Sequence, residues 1–266
     1  MTTTIEERSG SAPGVRRALT KVPEVTVYFW LIKVLCTTVG ETAADYLDTN
    51  LNMGLTNTTW VMSVLLVAAL VVQFRVRGYV PAVYWLAVVL ISVVGTLITD
   101  NLTDNMGVPL TTTTTVFAVA LALSFAAWYA VERTLSIHSV RTPRREAFYW
   151  LAILFTFAEG TAAGDLVAER MNLGYWVSAI VFAAVIAAIG LAHYLFRLNA
   201  VLSFWLAYIL TRPLGASLGD YLSQHKSDGG LGLGTVGTSA LFLATILALV
   251  VYLTISRRDR QAEPAR

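Results

Sequence analysis

The sequence predicts an all-α membrane protein. Its eight transmembrane helices form four parallel two-helix repeats, with the odd-numbered helices as an inner ring and the even-numbered ones as an outer ring. Three observations lead there. Of 266 residues, 56% are hydrophobic and 14% charged, with a mean hydropathy of +0.64, whereas soluble domains carry about 25% charged residues. A pattern of aromatic-Trp-Leu, then glycine ten residues after the tryptophan, then aspartate five residues later, occurs four times. The basic residues, finally, collect at one set of helix ends, as the positive-inside rule describes.

The recurring pattern defines the elements. Its copies are Phe29-Trp30-Leu31 with Gly40 and Asp45, Tyr84-Trp85-Leu86 with Gly95 and Asp100, Tyr149-Trp150-Leu151 with Gly160 and Asp165, and Phe204-Trp205-Leu206 with Gly215 and Asp220. Each copy lies in the first helix of a pair, over about 25–47, 81–102, 147–168 and 199–222. The second helices, more uniformly apolar, cover about 58–74, 113–131, 175–195 and 236–255. Runs such as Val116 to Val131 and Trp176 to Leu195 are long enough, or nearly so, to cross roughly 30 Å of hydrocarbon at 1.5 Å per residue. Pro81 and Pro143 stand at helix starts, where a missing N–H is harmless. Asn/Met/Gly turns ending in Gly54, Gly107 and Gly174 close the first three odd helices, and a longer glycine-rich turn closes the fourth.

These elements divide the chain into a polar tail over 1–22, repeats over 23–78, 79–141, 142–198 and 199–256, and a second tail over 257–266. The first tail lacks the apolar core of a cleavable signal peptide. Of the 19 basic residues, 15 fall on the side of both termini, while Arg170 and Lys226 fall opposite and Lys33 and Arg212 lie within spans. Both termini are therefore expected in the cytoplasm. Two spans per repeat keep all repeats parallel about an axis along the membrane normal. The single cysteine, Cys36, excludes an intramolecular disulfide, and a net charge of +2 gives no sign of a nucleic-acid partner.

The polar residues inside the odd helices carry the chemistry. Lys33, Thr37, Glu41 and Asp45 are four apart and share one helix face, as do Ser92, Thr96 and Asp100. Thr161 and Asp165 share a third, with Glu159 displaced from it, and Arg212, Ala216 and Asp220 a fourth. If the tryptophans mark the inner interface, the glycines lie about 15 Å deep and the aspartates about 22 Å. A carboxylate at such depth costs at least several kcal/mol when it faces lipid, so the acids are expected to point inward. Gly40, Gly95, Gly160 and Gly215 then let the helices approach closely or break locally.

Carboxylates with hydroxyls are hard oxygen ligands. The expected function is transport of a small cation, as divalent-metal export or ion/proton exchange. Glu41, Asp45, Glu159 and Asp165 would be its core ligands, with Asp100 and Asp220 completing the site or relaying protons. Lys33 and Arg212 would balance the charge, with Thr37 and Thr161 in support. Asp48, Asp104 and Glu169 read as a solvated outer face. No cofactor is implied, and oligomeric state is left open. No nucleophile–base pair or phosphate-binding loop points to an enzyme. The competing expectation is a non-transporting scaffold or accessory subunit held by interhelical acid–base pairs.

With Lys33, Gly40-Glu41-Thr42-Ala43-Ala44-Asp45 and Glu159-Gly160-Thr161-Ala162-Ala163-Gly164-Asp165 in view, the chain resembles the bacterial membrane-anchored proteins built from a short repeat of unknown function. That resemblance spans about 23–256. It implies a multi-pass protein of the bacterial inner membrane and no settled activity. The second repeat lacks the glutamate, and the fourth has Arg212-Pro213 before Gly215.

Overall fold

Local chemistry starts each odd helix. In the computed structural model, which describes residues 20–50, 53–171 and 173–259, the Thr26 hydroxyl caps α1 (Val27–Asp45) by accepting from the Phe29 N–H. Helix α2 spans Leu55–Arg75, and α3 (Pro81–Asp100) starts on its proline. Helix α4 covers Leu110–Glu132. Helix α5 (Pro143–Asp165) begins a turn earlier than 147, because Thr142 caps it and Pro143 occupies the first turn. Helix α6 is Gly174–Phe196, α7 is Ala200–Ser223 with Asn199 as cap, and α8 is Gly234–Ser256. The described residues contain no strand.

Helices α2 to α8 are long and apolar enough to cross a membrane, which marks a multi-pass membrane protein by length and composition. Helix α1 stands outside that set because Lys33, Glu41 and Asp45 fall within its 19 residues. The two kinds of helix differ in what they bury. In their most apolar stretches, 67% of α3 is buried against 11% of α2, so the even helices present apolar side chains such as Val64, Leu123, Leu191 and Leu247 outward.

Helix α1 packs against α3 and α7, and α5 packs against the same two. Each even helix crosses to the next repeat: α2 lies on α3, α4 on α5, α6 on α7, and α8 on α1. The two helices of one repeat share far less contact than neighbours from adjacent repeats do, although α7 and α8 also touch.

Two layers of the odd helices explain the sequence pattern. In the aromatic-Trp-Leu triplet, the first ring packs on the tryptophan of the next repeat: Phe29 on Trp85 (5.6 Å between ring centres), Tyr84 on Trp150 (5.5 Å), Tyr149 on Trp205 (6.2 Å) and Phe204 on Trp30 (5.6 Å). The leucine points out, with Leu31, Leu86, Leu151 and Leu206 all exposed. The tryptophans, expected to mark an interface, are thus wedged between helices, and Trp85, Trp150 and Trp205 are buried. A ring pair worth about 0.5–1.5 kcal/mol beyond its area, repeated four times, is the reason for the triplet.

Ten residues on, each motif glycine receives the side chain three residues before the next motif glycine. A Cβ on Gly40 would stand 2.6 Å from the Ser92 Cβ, on Gly95 2.6 Å from that of Phe157, on Gly160 2.6 Å from that of Arg212, and on Gly215 2.4 Å from that of Thr37. The glycines are the slots that fix the register between neighbouring odd helices.

At the bundle end where Lys21 and Asp259 lie, Lys21 Nζ donates to Glu146 Oε2 (2.7 Å) and Phe74 O (2.9 Å), and Gln73 Nε2 donates to Glu146 Oε1 (3.0 Å). Tyr79 OH donates to Asp259 Oδ2 (2.5 Å). Residues 20–22, expected in a tail, are therefore built into the bundle. The rest of both expected tails, 1–19 and 260–266, and the side chain of Glu169 lie outside the described residues.

Candidate functional site

The site grows from the same register. One residue past the motif glycine stand Glu41, Thr96, Thr161 and Ala216. The first three converge on Arg212, which stands three residues before the fourth glycine. Its Nη2 donates to Glu41 Oε2 (2.6 Å), Thr161 Oγ1 (2.6 Å) and Thr96 Oγ1. Three helices thus hold the guanidinium of a fourth, and the side chain is fully buried. Ala216, small where the other repeats carry oxygen, leaves room for that arm.

A turn further along lies a cavity of about 240 Å³ lined by Glu41, Asp45, Asp48, Asp100, Asp104, Asp165 and Asp220, with Ala44, Leu55, Tyr175 and Gln224. The aspartates of all four repeats share it because the spacing of five is common to all four helices. Glu41 and Asp220 are buried, and Asp45, Asp100 and Asp165 half-buried. One carboxylate oxygen each from Glu41, Asp165 and Asp220 lie within 4.8 Å of one another. Ligands at about 2.0–2.6 Å from one hard cation stand no more than about 4–5 Å apart, so these three fit around a single ion. No His or Cys is among the described residues lining the cavity, which favours hard divalent or alkali cations over soft metals.

Three odd helices change geometry just past their aspartates. One π-helical turn follows in each: Tyr46–Asn50, Asn101–Asn105 and Leu166–Arg170. Such turns re-aim side chains, and these place Asp48 and Asp104 in the cavity. Helix α7 continues instead as regular helix to Ser223, which puts Gln224 at the rim.

The expected residues fall into three groups. Glu41, Asp45, Asp100, Asp165 and Asp220 come together, with Arg212 and Thr161 beneath them. Glu159 is not in the lining and is only half-buried. It precedes its glycine where Glu41 follows its own, and two residues are about 200° around a helix. Lys33 does not meet the acids: its Nζ stands 4.0 Å from the Phe157 ring centre and 4.3 Å from that of Tyr208, fully buried and without a hydrogen bond. Thr37 donates to Val34 O (2.6 Å) and fills the Gly215 slot rather than the cavity.

Asp48 and Asp104, read as a solvated face, line the cavity, as do Tyr175 and Gln224, which were not anticipated. Thr96 was also missed as a site residue. Its place one after Gly95, matching Glu41 and Thr161, was the available signal.

Fold and site together define a helical membrane-type bundle of four two-helix repeats around a shared acidic cavity. The chain belongs to the family described as Repeat of Unknown Function (DUF347), whose model matches residues 28–79, 83–134, 148–199 and 203–259. Each match begins 12 residues before a motif glycine. No curated protein and no solved structure matches the chain.

Proposed function

We propose that this protein transports a small hard cation, as a divalent-metal exporter or an ion/proton exchanger of the bacterial inner membrane. The observation that carries the reading is the meeting of all four repeat aspartates with Glu41 in one cavity, three of the carboxylates within reach of a single ion. Carboxylates gathered among buried helices repel one another unless a cation joins them. An arrangement serving packing alone has no need to bring one acid from every repeat to the same place.

In this reading all eight helices span the bilayer with both termini cytoplasmic, the odd helices forming the inner ring and the even ones the outer. The contacts among odd helices, the outward apolar faces of the even ones and the distribution of basic residues support it. The cavity then opens in the outer half. Glu41, Asp165 and Asp220 bind the ion, with Asp45 and Asp100 beside them as further ligands or proton acceptors.

A thermal-shift panel of Mg²⁺, Mn²⁺, Ca²⁺, Na⁺ and K⁺ on purified protein tests the reading, because a ligand that binds only the folded form raises its stability. A concentration of 100 times Kd corresponds to about 2.7 kcal/mol. Selective stabilisation by one class of ion, lost in Asp45→Asn/Asp165→Asn and matched by ion flux in proteoliposomes, is the expected result. Equal behaviour in every cation, with no flux, sinks it. The scaffold reading draws on the Glu41–Arg212 clasp. It predicts that the aspartate substitutions lower ion-free stability and have no ion-specific effect.

A further inference from the structure

The Arg212 guanidinium sits where its charge competes with any ion for the same carboxylate. Glu41 Oε2 accepts from Arg212 Nη2 at 2.6 Å, and Glu41 also belongs to the carboxylate triad with Asp165 and Asp220. We propose that Arg212 is a tethered resident cation of the carboxylate site, and that a metal ion enters by displacing it from Glu41. This rests on the cation-site reading above and adds how the site is kept closed when the ion is away.

The hold on the guanidinium suits displacement. All of its hydrogen bonds come from one nitrogen, while Nε and Nη1, equally buried, have no hydrogen-bond partner. A bidentate fork onto Glu41 would be stronger and geometrically fixed. An arm anchored at one corner gives up one carboxylate contact and keeps two hydroxyl acceptors, Thr96 and Thr161. The placement is also specific to one repeat boundary. The positions equivalent to Arg212 are Thr37, Ser92 and Phe157, and those equivalent to Glu41 are Thr96, Thr161 and Ala216. Only where α7 meets α1 do a base and an acid face each other.

Behind Arg212, two turns before Glu41 on α1, the buried Lys33 side chain lies against Phe157, whose ring is also 5.9 Å from the Arg212 guanidinium carbon.

The test is titration of Mn²⁺, Mg²⁺ and Ca²⁺ into the full-length detergent-purified protein, read by thermal shift and by calorimetry. Arg212→Gln keeps the arm and removes its charge. It is expected to tighten divalent binding at least about tenfold, since the lost repulsion at close range exceeds one decade in affinity. Thr96→Val/Thr161→Val keeps every charge and folds without an unpaired guanidinium–carboxylate partner. It removes the two acceptors that the displaced arm would keep, leaving Glu41 as the only one, and is expected to weaken binding about three- to tenfold.

If wild type and both variants bind an ion with equal affinity, the cation-site reading stands and the tethered-cation proposal falls. If wild type binds nothing but Arg212→Gln does, Arg212 is confirmed as the resident cation and the transport reading loses its support. If no protein binds any of the ions, both fall. Should Arg212→Gln fail to fold, the threonine pair alone decides, and unchanged or tighter binding there overturns the proposal.

Discussion

Replacing Gly40 by alanine and replacing Gly190 by alanine are the same chemical change in the middle of a helix, and the structure assigns them opposite signs. At Gly40 the new Cβ would lie 1.9 Å from Ser92 Oγ, 2.6 Å from Ser92 Cβ and 3.0 Å from the Ser92 carbonyl carbon. The serine hydroxyl can rotate away, but its Cβ and backbone cannot. Ordinary contact needs about 3.5–4.0 Å, so α1 and α3 must part by about an ångström along the seam that sets their register. Over-packing of this kind costs about 1–3 kcal/mol.

At Gly190 in α6 no atom lies within 4 Å of the new Cβ, so only the helix preference acts, and alanine gains about 0.5–1 kcal/mol there. Thermal unfolding in detergent reads both, at about 2–4 °C per kcal/mol for a chain of this order. Gly40→Ala is expected to fall by several degrees and Gly190→Ala to rise slightly. Ser92→Gly in the Gly40→Ala background should recover part of the loss, with a coupling of about 0.5–3 kcal/mol between contacting sites. A Gly40→Ala protein as stable as wild type, or one that Ser92→Gly does not help, refutes the slot-and-register account.

Further outcomes follow from the buried polar pairs. Tyr84 and Tyr149 join their hydroxyls at 2.5 Å in the aromatic layer, so either Tyr→Phe change alone leaves a buried hydroxyl unpaired and should cost about 1–3 kcal/mol. The double Tyr84→Phe/Tyr149→Phe should cost less than the sum, as thermal or chemical unfolding would show. Lys21→Met leaves the fully buried Glu146 without its cation and should destabilise by about 3–5 kcal/mol; limited proteolysis near Lys21 and Glu146 would report the loosening. Glu159→Gln, outside the cavity lining, should leave ion-dependent stabilisation unchanged, whereas Asp220→Asn should weaken it. The reverse order in the thermal-shift panel would show that the ion binds elsewhere.

Much of the fold could be read in the sequence because a helix face repeats every three to four residues and the apolar runs match a bilayer. The pattern of Trp, Gly and Asp at fixed steps announced four like units, and the spacing of five put one acid from each on a common level. The sequence places Glu159, one residue before Gly160, with Glu41 among the expected core ligands. It lies on the wrong side of that glycine, and the angular step between the two positions separates them. Lys33 shares a helix stripe with Glu41 and Asp45, yet stripe membership does not say at which depth a long arm meets its neighbours. Asp48 and Asp104 entered the cavity through π-helical turns, which leave no pattern in the residues that form them.

By itself, the sequence determined the helical class, the fourfold repeat and the inward pull on the acids, since these follow from periodicity and from the cost of charge in an apolar medium. The tertiary structure alone decided that each even helix packs on the following repeat, that Arg212 and not Lys33 meets Glu41, and which acids share the cavity. Those outcomes rest on contacts between helices far apart in the chain. There the glycine slots, and no local preference, set which side chains come level.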